Sequence, residues 1–253
     1  MLQCDTLSPG RQSARQSLLF LLSLSMSAQA KKLADTFART AWFGLLAEQD
    51  QALVLAKSEL RSYTGATVIM RKGETVDAWT GVIEGLVKIT AVSAQGKAVT
   101  FTGVPPGGWF GEGSLIKNEP RKYDIVALRD SVIGWVPKAV FDQLMARSIS
   151  FNRFLLVQLN ERLGQFIATV EYDRLLEPDA RVARCIAGLF NPILYPGSGN
   201  RLEISQEEIG FLSGASRQRV NQALKVLEEA GLLRIEYGAI EILNLDGLRR
   251  FGA

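Results

Sequence analysis

The sequence contains no histidine and two cysteines, Cys4 and Cys185. Without imidazole, the commonest general base, metal ligand and physiological-pH switch is missing. Ser-His-Asp and Cys-His catalysis and histidine–zinc sites are therefore closed to this chain, which argues against an enzyme without excluding one built on carboxylates. Two cysteines this far apart cannot supply a disulfide framework or a four-cysteine metal or iron–sulfur site. Cys185, set among Ile186, Ala187 and Leu189, reads as a small buried apolar residue. Neither sign of charge dominates: 29 Lys and Arg stand against 26 Asp and Glu, for a net +3. A nucleic-acid binder with that balance must gather its basic residues on one surface. No apolar run is as long as the roughly 20 residues a membrane-spanning helix needs.

The longest such run, Leu18 to Leu24, follows Arg11 and Arg15 and precedes Ala28-Gln29-Ala30. That order has the form of a signal peptide with a cleavage site. Two other readings are open: a loosely ordered, partly helical arm over residues 1–30, or upstream sequence read through to a start at Met26. The arm is preferred because of the far end of the chain, whose DNA-reading chemistry would be useless outside the cytoplasm.

At 253 residues the chain has room for two domains, and their characters differ. Residues 31–58 read as one helix, with Leu33, Phe37, Ala41, Leu45, Leu53 and Val54 at helical spacing and no proline among them. From 60 to 136, short β-forming stretches such as Thr67-Val68-Ile69 and Leu86-Val87-Lys88-Ile89 alternate with glycine-bearing breaks at Gly73, Gly85, Gly96 and Gly107-Gly108. That pattern suggests a sandwich, barrel or jelly roll. Pro137 suits the first position of a short helix running through Phe141 and Leu144. Residues 149–176 read as a long helix whose Leu156, Leu159, Leu163, Phe166 and Val170 are spaced 3, 4, 3, 4, the seam of a two-stranded coiled coil. Leu155 and Ile167 widen the stripe, so one edge can pack on the β-domain and the other on a second copy. A helix from Asp179 to about Phe190 follows. Residues 201–253 then hold a short strand, two helices and a strand pair across Tyr237-Gly238.

The most specific signal lies in Ser205 to Leu227. Ser205 and Glu208 have the spacing of a capping box. Gly214 can supply the positive φ of a tight inter-helix turn, and Ser216 caps the next helix. Small Gly210 lets the two helices approach closely. This is a helix-turn-helix whose second helix presents Arg217, Gln218, Asn221, Gln222 and Lys225 outward. Arginine can make two hydrogen bonds to a guanine edge, and asparagine or glutamine two to adenine. Between Ser216 and Lys225 there are three cations and no acid.

At these residues the chain resembles the cyclic-AMP receptor protein/FNR superfamily of bacterial regulators over about residues 40–250. The resemblance is carried by Ile204-Ser205-Gln206-Glu207-Glu208-Ile209-Gly210, Gly214-Ala215-Ser216-Arg217 and Leu224-Lys225-Val226-Leu227-Glu228. In the first domain it rests on Lys72-Gly73-Glu74, Gly85-Leu86-Val87-Lys88 and Phe110-Gly111-Glu112. It implies an α+β protein with a β-roll effector domain over 31–148, a dimerisation helix over 149–177 and a winged helix-turn-helix over 178–253. It places Arg217, Gln218 and Gln222 at the main base-reading positions and Ser205, Gln206 and Ser216 on phosphates. The family's cyclic-AMP receptors carry Arg, Glu and Arg at those base-reading positions, so only Arg217 matches and a different operator is implied.

For the effector, the resemblance assigns Gly111, Glu112 and Arg121. Lys122 stands where the family has Ser or Thr, and Phe166 and Ile167 where it has the Thr-Ser pair that meets adenine. A cyclic nucleotide, a different small effector and no ligand all remain open. Iron–sulfur sensing lacks its cysteines and haem sensing its histidine. The implied partners are double-stranded DNA, a second copy of the chain and RNA polymerase, in the cytoplasm and without a membrane. The competing reading is a small-molecule-binding or exported β-roll module with no DNA role. A cupin-type enzyme on the same roll would lack its histidine ligands.

Overall fold

A computed structural model describes residues 28–252 apart from 94, 97, 197 and 198. The arm expected over residues 1–30 falls outside this range except for its last three residues, which open a helix.

The chain enters through α1 (Ala28–Ala38), a 3-10 turn (Phe43–Leu45) and α2 (Glu48–Lys57). One continuous helix was expected here, and aromatic packing breaks it. Phe37 and Trp42 are both fully buried and meet edge-to-face with ring centroids 5.7 Å apart. Residues five apart on an α-helix project about 140° from each other, so a straight helix could not bury both in one cluster. The cluster continues through Trp79 and Trp109, 4.9 and 5.0 Å from Trp42.

Eight strands follow: β1 (Glu59–Tyr63), β2 (Val68–Met70), β3 (Ala78–Glu84), β4 (Val87–Val92), β5 (Ala98–Val104), β6 (Trp109–Phe110), β7 (Asp124–Ala127) and β8 (Ser131–Pro137), with the short helix α3 (Glu112–Lys117) after β6. They form two antiparallel four-stranded sheets, ordered β1-β8-β3-β6 and β2-β7-β4-β5. Val82, Val87, Ile89, Phe110, Ile125 and Ile133 fill the space between them. The glycine breaks pointed to a sandwich, barrel or jelly roll, and the arrangement found is the β-roll that the family resemblance implied.

Pro137 ends β8 and occupies the N-cap of α4 (Lys138–Arg147), one position before the place predicted for it. The long helix α5 (Ile149–Leu175) is capped by Ser148, whose side chain accepts the Phe151 N–H. Its seam residues Leu156, Leu163, Phe166 and Val170 are exposed in the single chain.

The chain breaks at Leu176 and Glu177 and re-enters helix α6 (Pro178–Leu189) with proline in the first turn. Then come β9 (Arg201–Glu203), α7 (Gln206–Ser213), α8 (Arg217–Glu229), β10 (Leu233–Glu236), β11 (Ala239–Ile242) and α9 (Leu245–Arg250). The last three strands form a sheet in the order β10-β11-β9. Helix α9 was not anticipated: it is short, contains Gly247, and is started by Asn244, whose side chain accepts the Gly247 N–H. Val182, Ile186, Ile209, Val220, Leu224, Leu227 and Leu248 form this domain's core, and Leu86 of the β-roll joins it. Among the described residues, no helix is long and apolar enough to cross a membrane.

Candidate functional site

The helix-turn-helix forms where its capping residues place it. Ser205 Oγ accepts the Glu208 N–H at 3.2 Å, and the Glu208 carboxylate accepts the Ser205 N–H, completing the capping box. Gly214 takes φ 67° and turns the chain, and Ser216 Oγ accepts the Arg219 N–H at 3.2 Å to start α8. A methyl group on Gly210 would stand 2.8 Å from the Ala215 carbonyl oxygen, so the two helices cross at a distance only glycine permits.

Val220, Ala223, Leu224 and Leu227 bury one face of α8, leaving Arg217, Gln218, Gln222 and Lys225 exposed on the other, with Asn221 half-buried beside them. The first turn of α8 holds no acid, and its N-terminus carries the positive end of a 13-residue helix dipole. Arg219, the third cation of the segment, turns back to Asp179 at 3.0 Å and braces α8 against α6. Ser205 and Gln206 are half-buried and Ser216 is exposed. Tyr237, at the tip of the β10–β11 hairpin, is fully exposed.

In the β-roll, Gly111 takes φ 96° as the N-cap of α3 and brings Glu112 into the interior. Arg121 is also buried, and its Nη1 faces Gly111: a methyl there would stand 3.7 Å from it. Burial pushes the Arg121 guanidinium below its ordinary pKa, against the pull of Tyr123, Glu74 and Asp77. Its Nε and Nη1, and Glu112 Oε2, have no hydrogen-bond partner among the described residues.

Sequence reasoning missed two residues here. Arg162 of α5 donates from Nη2 to the Trp109 carbonyl at 2.7 Å and brings Nε to 3.7 Å from Glu112 Oε1. Burial opposes its charge, but Glu112, Tyr195 and Tyr123 outweigh that and hold its pKa raised. The Tyr123 phenol is raised by burial and by Glu112. The available signal for Arg162 was a cation in the middle of an apolar helical stripe, between Leu159 and Leu163.

Of the residues the pattern singled out, Gly111 and Arg121 thus lie together, while Glu112, next in the chain, faces Arg162. Lys122 points away, exposed and paired with Glu119 at 3.1 Å. Phe166 lies one turn beyond Arg162 on the same helix face. It and Ile167 are 39% and 61% exposed. The cluster therefore offers buried arginine donors and a buried carboxylate acceptor, the complement of an anion that also carries a hydroxyl.

Two family models match: a cyclic nucleotide-binding domain over residues 60–148 and a Crp-like helix-turn-helix domain over residues 180–251. The chain is 28% identical to a Cyclic AMP receptor protein of Thermus thermophilus, across 78% of this chain and 89% of that protein. It is 26% identical to the cAMP-activated global transcriptional regulator Vfr of Pseudomonas aeruginosa, across 72% and 88%. Among solved structures it resembles a CRP/FNR-family transcriptional regulator of Thermus thermophilus, with TM-score 0.52, 27% identity, and 76% and 96% of the two chains covered. It also shares the fold of FixK2 from Bradyrhizobium japonicum, with TM-score 0.63 at 18% identity, and 78% and 98% covered.

Proposed function

Because the chain belongs to the cyclic-AMP receptor protein/FNR superfamily of transcription regulators, we propose that it binds an inverted-repeat operator as a homodimer, in the cytoplasm, with RNA polymerase as its partner at the promoter. The observation that carries this reading is the outer face of α8: Arg217, Gln218, Gln222 and Lys225 stand exposed along a helix whose opposite face is fully buried. The exposed seam of α5 supports pairing with a second copy, which would set two α8 helices in successive major grooves about 34 Å apart.

The buried arginine–carboxylate cluster of the β-roll is the effector site of this reading. Arg121 and Arg162 would hold an anionic group and Glu112 a hydroxyl, a pairing that a cyclic nucleotide supplies, as do other hydroxylated acids. Phe166 and Ile167 offer no hydrogen bond to a purine edge, so a nucleotide bound here forgoes roughly 1–3 kcal/mol for each polar group it leaves unpaired.

A binding-site selection on wild type, Arg217→Ala and Lys225→Ala tests the DNA reading. Arg217 lies in the first turn of α8, so its loss should blur one base pair per half-site, by about 1–3 kcal/mol. Lys225, two turns on, should weaken all sequences alike and flatten the salt dependence. Selection of no inverted repeat by the wild type would end the dimeric reading. Calorimetry against cyclic AMP, cyclic GMP and cyclic di-GMP, with Arg121→Ala as control, tests the cluster.

A further inference from the structure

The three cations of the reading segment are not equivalent. Arg217 and Lys225 make no ion pair among the described residues, whereas Arg219 is committed to Asp179. Asp179 is the second residue of α6, where the helix dipole favours an anion. Its Oδ1 is shut off from solvent and lies 3.0 Å from Arg219 Nη2. Salt therefore screens the pair little. The Arg219 backbone is pinned in turn by the Ser216 cap. Arg219 Nη1, the second arm of the same guanidinium, donates to Gln222 Oε1 at 3.4 Å. Residues three apart are neighbours on a helix surface, so this contact needs no distortion of α8.

The consequence lies in the chemistry of the amide. A glutamine reads adenine with both ends of its fork, the oxygen accepting from N6 and the nitrogen donating to N7. In Gln222 the oxygen is drawn back along the helix to a cation. That leaves the NH2 group, a donor, as the free end. In the major groove guanine presents two acceptors, N7 and O6; adenine presents one acceptor beside a donor, and cytosine a donor. A donor backed by positive charge therefore suits guanine best. Gln218, on the same helix, provides a contrast. Its side chain makes no hydrogen bond among the described residues, so both ends of its amide stay available to adenine.

We propose that Asp179 and Arg219 form a positioning unit that commits Gln222 to donating, so that Gln222 reads guanine rather than adenine. This rests on reading the chain as a DNA-binding regulator with α8 in the major groove. Asp179 has a second effect in the same arrangement: it keeps the Arg219 cation from reaching a phosphate.

The test uses the full chain in binding-site selection and in anisotropy titrations on operators that differ at single base pairs. Gln222→Ala locates the relevant pair, the position in each half-site at which preference is lost. There the wild type should favour guanine over adenine by about fivefold or more. Asp179→Ala should bring the two bases near parity, because the freed amide can again offer both ends, while the pair read by Arg217 keeps its preference. It should also steepen the salt dependence by about one phosphate contact, since the released Arg219 can reach the backbone. Arg219→Met keeps the apolar stem and loses the donors, so it should abolish the guanine preference without steepening the salt dependence. Gln222→Glu turns the donor into an acceptor and should move the preference to cytosine. An ion pair that merely braced the fold would, when removed, weaken all sequences alike. That outcome in folded Asp179→Ala and Arg219→Met, or a wild type that prefers adenine at the Gln222 position, would overturn the assignment. The side-chain amide signal of Gln222 in nuclear magnetic resonance of the free protein gives a readout without DNA. It should shift in both variants, and an unchanged signal would overturn the positioning. If the wild type binds no DNA at all, it is the regulator reading that fails, and the amide signal still judges whether Arg219 holds Gln222.

Discussion

Gly210 and Gly164 both sit inside helices, and the same substitution should act oppositely on them. Replacing a mid-helix glycine by alanine stabilises the helix by about 0.8–1.0 kcal/mol. At Gly164 of α5 nothing lies within 4 Å of the added methyl, so that gain should appear in full. At Gly210 of α7 the methyl would meet the Ala215 carbonyl oxygen at 2.8 Å. That oxygen belongs to a backbone turn fixed on one side by the left-handed Gly214 and on the other by the Ser216 cap, so it has little room to yield. Forcing an extra carbon into such a contact costs roughly 1–3 kcal/mol. Gly210→Ala should thus fall about 1–3 kcal/mol below Gly164→Ala once the shared propensity gain is removed. Urea unfolding followed by far-UV circular dichroism measures both. A DNA-binding domain of this size shifts its Tm by roughly 4–8 °C for each kcal/mol, so a thermal scan would resolve the difference as well. Equal shifts of the same sign in the two variants would show that the close crossing of α7 and α8 does not constrain the motif.

Two further expectations follow from the long helix and from Cys185, which is partly buried rather than fully buried as its apolar neighbours suggested. Leu159→Glu with Leu163→Glu places charge in the α5 seam and should convert dimers to monomers; light scattering that still gave a dimer would remove that helix from the interface. The Cys185 thiol is pushed up to about 12 by burial and by Asp173. Between about pH 9 and that value the unfolded chain releases the thiol proton while the folded chain keeps it, so folding stability falls with rising pH, by about 1.4 kcal/mol per pH unit for this group. Cys185→Ala should show a shallower alkaline loss than wild type in the same titration, and equal slopes would count against a raised thiol pKa.

The parts of the molecule legible in the sequence are those in which local chemistry and fold agree. Ser205, Glu208, Gly214 and Ser216 act within a few residues of themselves, so spacing alone located the helix-turn-helix. The glycine punctuation marked the first domain as a sandwich, barrel or jelly roll of short strands, and only the family resemblance narrowed it to a β-roll. The parts that escaped depend on distant contacts. The break at Trp42 comes from Trp79 and Trp109, far along the chain, and Arg162 gains its meaning only when α5 crosses β6. The pairing of Lys122 with Glu119 turns on local loop shape, which alignment to a family pattern does not carry. The burial of Tyr195 was equally hidden, because it rests on contacts with Gly103 and Gly108, far back along the chain.

The aromatic cluster that breaks the first helix also decides what light can report about this protein. Trp42, Trp79 and Trp109 lie with ring centroids 4.4–5.0 Å apart, and the fourth indole, Trp135, belongs to the same domain. The chain has no tryptophan after residue 135. Excited by ultraviolet light, three of its four indoles are close enough to couple as one chromophore, and all of them look at the β-roll. The DNA-reading domain could melt or rearrange on its hinge while intrinsic emission stayed almost constant. An indole placed in that domain, at exposed Tyr237 for instance, would turn the silent half of the molecule into an observable one.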